Sequence, residues 1–358
     1  MMNQTTNTLL LTVDPAAPDA ATITRAAQVI QAGGLVAFPT ETVYGLGAHA
    51  LNAEAVARIF HAKQRPTTDP LIVHLADAAD LPPLVRAVPP IVDTLAARFW
   101  PGPLTLVLPR SAQVPDLVTA GQPTVAVRVP SHPVAQALIR AAGPLAAPSA
   151  NRFSRPSPTT ADHVLADLAG RVDVVLDGGA AAIGVESTIL DLTSDPPAVL
   201  RPGGVPVEAL RALLPNLTLR TLTVTEGQTA PAPGTLLKHY SPEAELILFT
   251  GEPDAVTARI ARHAEEQLAR GASVAVLVIG HAEDDLPQGV RVVSLGADER
   301  EAANRLFAVL RMLEPDTDVI LTRAPAQTGL GLALWDRLWR AAEGRVVQVA
   351  APEAKASG

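Results

Sequence analysis

Residues 22–40 read TITRAAQVIQAGGLVAFPT, and their order decides the fold class. The first part reads as a helix stopped by Gly33 and Gly34, and LVAFPT at 35–40 is then an apolar run of strand length. A helix passing directly into a continuously apolar strand implies a layered α/β domain, because such a strand is covered on both faces.

Working outward, similar runs recur as PLIVHL (70–75), PLTLVLP (103–109), TVAVRVP (124–130), PLAAPS (144–149), VDVVLDGG (172–179), ESTILDLT (186–193) and AVLRPGG (198–204). Helical segments are expected between several of them, at about 53–63, 91–99, 132–141 and 160–168. Residues 1–214 are therefore expected to form one α/β domain with a mixed, twisted sheet. From 215 to 243 turn formers dominate and no period is sustained, which reads as a linker. From 244 to 350 strands and helices alternate: AELILF, helix 253–270, SVAVLVIG, VRVVSLG, helix 298–312, DVILT and helix 330–342. That pattern implies a smaller doubly wound, Rossmann-like domain, with 351–358 a tail. In its last helix Trp335 and Trp339, four apart, share one face, expected to pack on the domain's own sheet.

The composition narrows the chemistry. The chain has 358 residues, 48% hydrophobic and 18% charged, enough for two packed domains. It has no cysteine, which excludes disulfides, thiolate catalysis and cysteine zinc sites. The N-terminus has no basic segment followed by a long apolar one, and no run reaches membrane-spanning length, so a soluble, cytoplasmic protein is expected. The net charge of −8 opposes broad attachment to nucleic acid. Walker, G-x-G-x-x-G, zinc-spaced histidine and G-x-S-x-G patterns are absent.

What remains is a set of polar loops at strand ends, where α/β sheets gather ligands: FPTETVYGLG (38–47), AKQRPTTDPLIVH (62–74), TVAVRVPSHP (124–133), APSANRFSRPSPTT (147–160), GVESTI (184–189) and LRPGG (200–204). Arg128 lies two positions from Ala126, so the two share a strand face, an odd place for a guanidinium with no anion to meet. Lysine is scarce, at positions 63, 238 and 355 only, against a background of arginine. Lys63 therefore stands where a compact, mobile point charge serves better than a planar fork. The two tyrosines, Tyr44 and Tyr240, both fall in polar loop or linker stretches, which suits stacking on or hydrogen bonding to a ligand. Together the loops describe a donor-rich cleft for a polyphosphate and a carboxylate.

The ordered succession PTETVYGLG, KQRPTTDPLIVH, WPGPLTLVL, VAVRVPSHP, APSANRFSRPSPT, ESTILDL, LRPGG and HYSP resembles the YrdC-like threonylcarbamoyl-AMP synthases in their longer, two-domain form. The resemblance implies a nucleotidyltransferase that makes threonylcarbamoyl-AMP and pyrophosphate from L-threonine, bicarbonate and ATP with Mg2+. The product would feed a separate transferase complex that modifies the adenosine next to the anticodon of tRNA. It also implies roles. Lys63 and Arg65 (K-x-R) and Ser149 and Asn151 (S-x-N) would hold the triphosphate, Lys63 and Arg65 being catalytic. Thr42, His74, Arg128 and Ser187 would contact threonine, with Arg128 on its carboxylate. Thr124, Ala147 through its backbone, Ser157, Arg201 and Tyr240 would contact the rest of the nucleotide. Asp69 stands where the family commonly has asparagine; an acid there would repel phosphate or help hold magnesium.

No resident protein-bound metal is expected. The linker, through Lys238 and Tyr240, is expected to close over the loaded cleft as a lid. A different class, an RNA-binding protein of YrdC-like fold, is disfavoured by the acidic charge and the few loop aromatics. A related carbamoyl-adenylate-forming enzyme of hydrogenase maturation is disfavoured by the absence of zinc-type cysteines and of an acylphosphatase-like segment.

Overall fold

The computed structural model describes residues 7–220, 230, 232–234, 239–280 and 286–350. The chain divides into two compact units, Met1–Leu237 and Lys238–Gly358, and the division falls inside the linker stretch 215–243.

In the first unit the strands are β1 (Leu9–Thr12), β2 (Val36–Phe38), β3 (Gly45–His49), β4 (Ile72–His74), β5 (Leu104–Pro109), β6 (Thr124–Arg128), β7 (Leu145–Ala146), β8 (Val174–Asp177), β9 (Thr188–Asp191), β10 (Ala198–Arg201) and β11 (Thr218–Leu219). They form one mixed sheet in the order β1-β8-β2-β3-β7-β4-β6-β5-β9-β10-β11. Its helices are α1 (Ala20–Gln31), α2 (Ala53–Lys63), α3 (Ile91–Phe99), α4 (Asp116–Thr119), α5 (Pro133–Ala142), α6 (Ala161–Leu168) and α7 (Val207–Arg211).

The opening stretch folds as its pattern predicts. Asp19 caps α1 by accepting from the Thr22 N–H at 2.8 Å. Ile23, Ala26, Ala27 and Ile30 form its buried stripe, packed with Val36, Phe38, Val134, Leu138 and Leu176. Gly33 ends the helix at φ 82°, with the Gly33 and Gly34 N–H groups donating back to the Ile30 and Val29 carbonyls at 3.0 and 2.8 Å. Gly34 follows because a Cβ there would stand 2.5 Å from Val29 Cγ1.

The pattern missed β3, because FPTETVYGLG reads as a loop. Gly45 and Gly47 lie in a strand antiparallel to β2, opposite Phe38 and Val36. A Cβ on Gly47 would come within 2.8 Å of the Phe38 ring, so the glycine makes room for an aromatic side chain. Tyr44, expected to face a ligand, is fully buried and its hydroxyl donates to the Gly179 carbonyl at 2.6 Å. The linker also begins later than its composition suggests, since Thr218 and Leu219 pair with Ala198 and Val199 of β10.

The second unit holds β12 (Glu245–Gly251), β13 (Val274–Val278), β14 (Arg291–Ser294), β15 (Val319–Arg323) and β16 (Val346–Val349), with α8 (Pro253–Leu268), α9 (Glu299–Leu313) and α10 (Gly329–Ala341). All its pairings are parallel, in the order β14-β13-β15-β12-β16. The central strands are buried on both faces, as a parallel sheet flanked by helices requires. The fourth strand of this unit lies between its first and second, however, so the Rossmann order 3-2-1-4-5 is not reproduced.

Trp335 and Trp339 do share a face of α10, but they stack on each other at 5.8 Å, half-buried. The helix buries Leu334 and Leu338 with a charged trio in which Asp336 accepts from Arg337 Nη1 at 2.6 Å and from Arg340 Nε at 3.0 Å. Pairing is what makes such burial tolerable.

Candidate active site

The site is built from neighbouring strand ends of the first unit. Parallel β4 and β6 bring His74 opposite Arg128, and antiparallel β5 brings Thr105 to the other side of Arg128. Arg128 is 3% exposed. Its Nε donates to the Gly102 carbonyl at 3.1 Å, its Nη1 to Thr42 Oγ1 at 3.0 Å, and its Nη2 is ion-paired with Glu41 Oε1 at 2.7 Å. Thr105 Oγ1 and Ser187 Oγ are hydrogen-bonded at 2.8 Å. Thr42, His74, Arg128 and Ser187, the four residues expected around threonine, are therefore brought to one place.

His74 is buried and its Nδ1 carries the hydrogen, since it lies 3.2 Å from the Ile72 carbonyl, which can only accept. Burial, then the charge of Arg128, lowers its pKa to about 3. The ring is therefore neutral at physiological pH, able to accept a hydrogen bond from a hydroxyl.

A stability effect follows with a defined sign. Unfolded histidine takes up a proton near 6.5 and folded His74 only near 3, so between those values the native state binds fewer protons. Stability falls as pH drops through that window. The urea midpoint of the wild-type chain should fall further between about pH 7 and about pH 4.5 than that of His74→Asn. The expected difference is on the order of 2 kcal/mol. Equal falls would show that His74 titrates freely.

The residues expected to hold the triphosphate lie around Asp69, which is fully buried. Arg65 Nη2 is 3.0 Å from Asp69 Oδ1, while Arg65 Nε and Nη2 donate to the Asp69 and Pro70 carbonyls at 3.2 and 2.8 Å. Burial pushes the Asp69 carboxyl above its ordinary range, against the pull of Arg65, Lys63 and Arg201. An acid at 69 thus has a partner of its own in Arg65, and neither expectation for it, phosphate repulsion or magnesium binding, describes that contact.

Lys63 ends α2, where Gln64 turns the chain with φ 55°. Its ammonium donates to the Ser149 and Asn151 carbonyls, both at 2.5 Å, and is 1% exposed. Asn151 in turn donates to the Arg152 and Arg155 carbonyls at 2.7 and 2.9 Å. The K-x-R and S-x-N pairs are thus physically joined. In this arrangement Lys63 is an anchor of the 149–155 loop rather than the mobile charge expected from its rarity.

Arg201, at the end of β10, donates to the Ser187 carbonyl and Oγ at 3.0 and 3.2 Å and to the Pro233 carbonyl at 3.1 Å. It links the two ends of the site. Ser157 Oγ bonds Glu186 Oε1 at 2.5 Å, and the Ala147 N–H donates to the Ile72 carbonyl at 2.9 Å. Thr124 opens β6, four residues before Arg128, which places it about 13 Å along the strand from the pocket around Arg128.

Tyr240 belongs to the second unit, where it is buried against Phe307 at 5.3 Å beneath the Arg337 guanidinium. Its ring is packed rather than offered from a loop, contrary to the expectation from its sequence neighbours.

Of the linker, the Ala230 N–H donates to the Thr68 carbonyl at 3.0 Å. Ala232 packs with Ile72, Val107, Ala126, Ile189, Ala198 and Leu200. Lys238, part of the expected lid, lies outside the described residues.

Two acids of the site, Glu41 and Glu186, were passed over in the sequence. The signal was adjacency, since each immediately precedes an assigned residue, Thr42 and Ser187. Among the described residues no cluster of three or more His, Cys, Asp or Glu could hold a metal ion, and no helix is long and apolar enough to cross a membrane.

Comparison with known proteins gives the chain's relatives. A family model described as "Telomere recombination" matches residues 28–203, and one described as "Threonylcarbamoyl-AMP synthase, C-terminal domain" matches residues 205–343. The chain is 45% identical over 327 residues to the threonylcarbamoyl-AMP synthase of Pyrococcus abyssi, covering 90% of this chain and 95% of that one. To the Bacillus subtilis protein of the same name it is 42% identical over 331 residues, covering 91% and 94%. Among solved structures, Pyrococcus abyssi Sua5 complexed with L-threonine superposes with a TM-score of 0.89 at 43% identity, covering 95% of this chain and 99% of that one.

Proposed function

Because the chain belongs to the threonylcarbamoyl-AMP synthase family, we propose that its first unit joins L-threonine, bicarbonate and MgATP into threonylcarbamoyl-AMP and pyrophosphate. This is a nucleotidyl transfer, set in the cytoplasm, whose product passes to the transferase complex that modifies the adenosine beside the anticodon of tRNA.

The observation that carries the reading is one polar chain across adjacent strand ends. The group Arg128, Thr42, His74 and Ser187 is connected through Ser187 and Arg201 to the cations gathered about Asp69. Arg128 would take the threonine carboxylate, because a guanidinium held by fixed partners presents its remaining N–H groups in a defined direction. Neutral His74 and Ser187 would accept from or donate to the threonine hydroxyl.

Bicarbonate gives up hydroxide to supply carbon dioxide, and a proton from threonine's ammonium turns that hydroxide into water; the free amine adds to the carbon dioxide and loses a second proton to solvent as it becomes a carbamate. A carbamate oxygen then attacks the α-phosphorus, forming the new P–O bond as the bond to the α–β bridging oxygen breaks and pyrophosphate leaves. Lys63, Arg65 and Arg201 would stabilise the charge that develops there, with Lys63 also fixing the 149–151 loop. Magnesium would enter bound to ATP and help neutralise the phosphates. Positioning and charge stabilisation suffice for such a displacement, so no triad is needed. The linker residues at 230 and 232–234 would help exclude water from the labile mixed anhydride.

The test is pyrophosphate release from the purified chain with ATP and magnesium, with and without L-threonine and bicarbonate. Release that requires both is the expected result. Release with neither, or no release under any condition, would refute the assignment.

A further inference from the structure

Arg128 is not the only charge buried at the head of β6. Glu41, in the turn after β2, has a side chain 10% exposed, and its Oε1 lies 2.7 Å from Arg128 Nη2. Neither carboxylate oxygen accepts a hydrogen bond from the described residues. Its backbone is not loose, since the Ile183 N–H donates to the Glu41 carbonyl at 2.8 Å and the Gly184 N–H to the Thr42 carbonyl at 3.0 Å. A buried carboxylate is costly unless it is both paired and hydrogen-bonded. Arg128 supplies the pairing, while donating its hydrogen bonds to Gly102 and Thr42. Acceptor capacity therefore remains on Glu41, beside the guanidinium already assigned to a carboxylate.

The complement of that arrangement is specific. A guanidinium in contact with a carboxylate mirrors a molecule that carries an anion and a cationic N–H donor on the two sides of one carbon. That molecule is an α-amino acid zwitterion. We propose that Glu41 reads the α-ammonium of the substrate while Arg128 takes its carboxylate, which makes Glu41 a specificity-determining residue of the pocket. The inference rests on the amino-acid reading of that pocket and concerns the substrate as it binds, before its amine becomes a carbamate. It predicts discrimination against acids that lack the α-amine, in which a buried carboxylate would meet no donor.

The experiment measures binding of L-threonine, and of 3-hydroxybutanoate as the same skeleton without the amine, to the full chain and to its Glu41→Gln and Glu41→Asp variants. Glu41→Gln should weaken threonine at least about 50-fold while leaving 3-hydroxybutanoate unchanged or tighter. Glu41→Asp keeps a counter-ion near Arg128 and so guards against failure to fold. It should retain threonine binding to within about tenfold.

Threonine binding to Glu41→Gln as tightly as to the wild type, or equal weakening of both ligands, would overturn the proposal and leave Glu41 as a support for Arg128. If the wild-type chain binds no threonine, the proposed function fails on its own. Glycine and serine, each against its amine-free counterpart, then decide Glu41. Selective weakening by Glu41→Gln supports it, and no α-amino acid bound at all overturns it.

Discussion

Replacing Lys63 with arginine is expected to cut pyrophosphate release about 100- to 1000-fold at saturating substrates, with the chain still folded. The ammonium fits a buried position from which it reaches the Ser149 and Asn151 carbonyls at 2.5 Å each. A planar guanidinium keeps the charge but cannot converge its donors on two carbonyls that meet at one point. The loop joining the S-x-N pair would then shift, and with it the groups proposed to hold the triphosphate. Lys63→Met is the companion variant, because it keeps much of the volume and leaves both carbonyls without a charged donor. Turnover of Lys63→Arg within twofold of wild type, measured by the pyrophosphate assay, would remove Lys63 from the machinery.

The second large effect is expected at the other end of the site. Arg128→Lys should raise the KM for threonine about 100-fold or more while the KM for ATP changes little. Arg128 meets the Gly102 carbonyl, Thr42 Oγ1 and Glu41 Oε1 from three different nitrogens. A single ammonium cannot reproduce that fan and still present a flat edge to a carboxylate. The charge is kept, so Glu41 does not become a buried anion without a counter-ion and the fold should survive. Steady-state kinetics with each substrate varied separately distinguish the outcomes. An unchanged KM for threonine would mean that Arg128 serves Glu41 and Thr42 and not the substrate.

The two variants also separate the halves of the mechanism. Damage at Lys63 should appear mainly in kcat, because charge develops at phosphorus in the transition state. Damage at Arg128 should appear mainly in binding of the amino acid. Mixed behaviour in both would indicate that Arg201, which touches Ser187 on one side and senses Asp69 on the other, couples the two ends.

Much of the site was legible because its residues sit at the ends of strands that the apolar runs already marked. PLIVHL ends near His74, TVAVRVP contains Arg128, and AVLRPGG contains Arg201, each inside a strand of the sheet. What escaped shares a different property. β3 was hidden because Gly45 and Gly47 break the apolar run, and the reason for Gly47 is the ring of Phe38 on the neighbouring strand. Tyr44 looked exposed in its local company, yet its hydroxyl partner, Gly179, is far along the chain. Tyr240 likewise packs on Phe307 rather than on anything near it in sequence.

By itself, then, the sequence determined the boundaries of α2, α3 and α9 to within a residue or so, the presence of two α/β units, and the inventory of donors around the cleft. Those are local matters, set by periodicity, glycine stops and residue type within a few positions. Only the tertiary structure decided which donors meet. It paired Arg128 with Glu41, tied Lys63 to the 149–151 carbonyls, gave Asp69 to Arg65, and set the strand order of the second unit. The physical reason is that a buried charge must find its partner among whatever the folded chain brings within a few ångströms. That neighbourhood is created by sheet pairing and burial between residues distant in sequence, which no local pattern encodes.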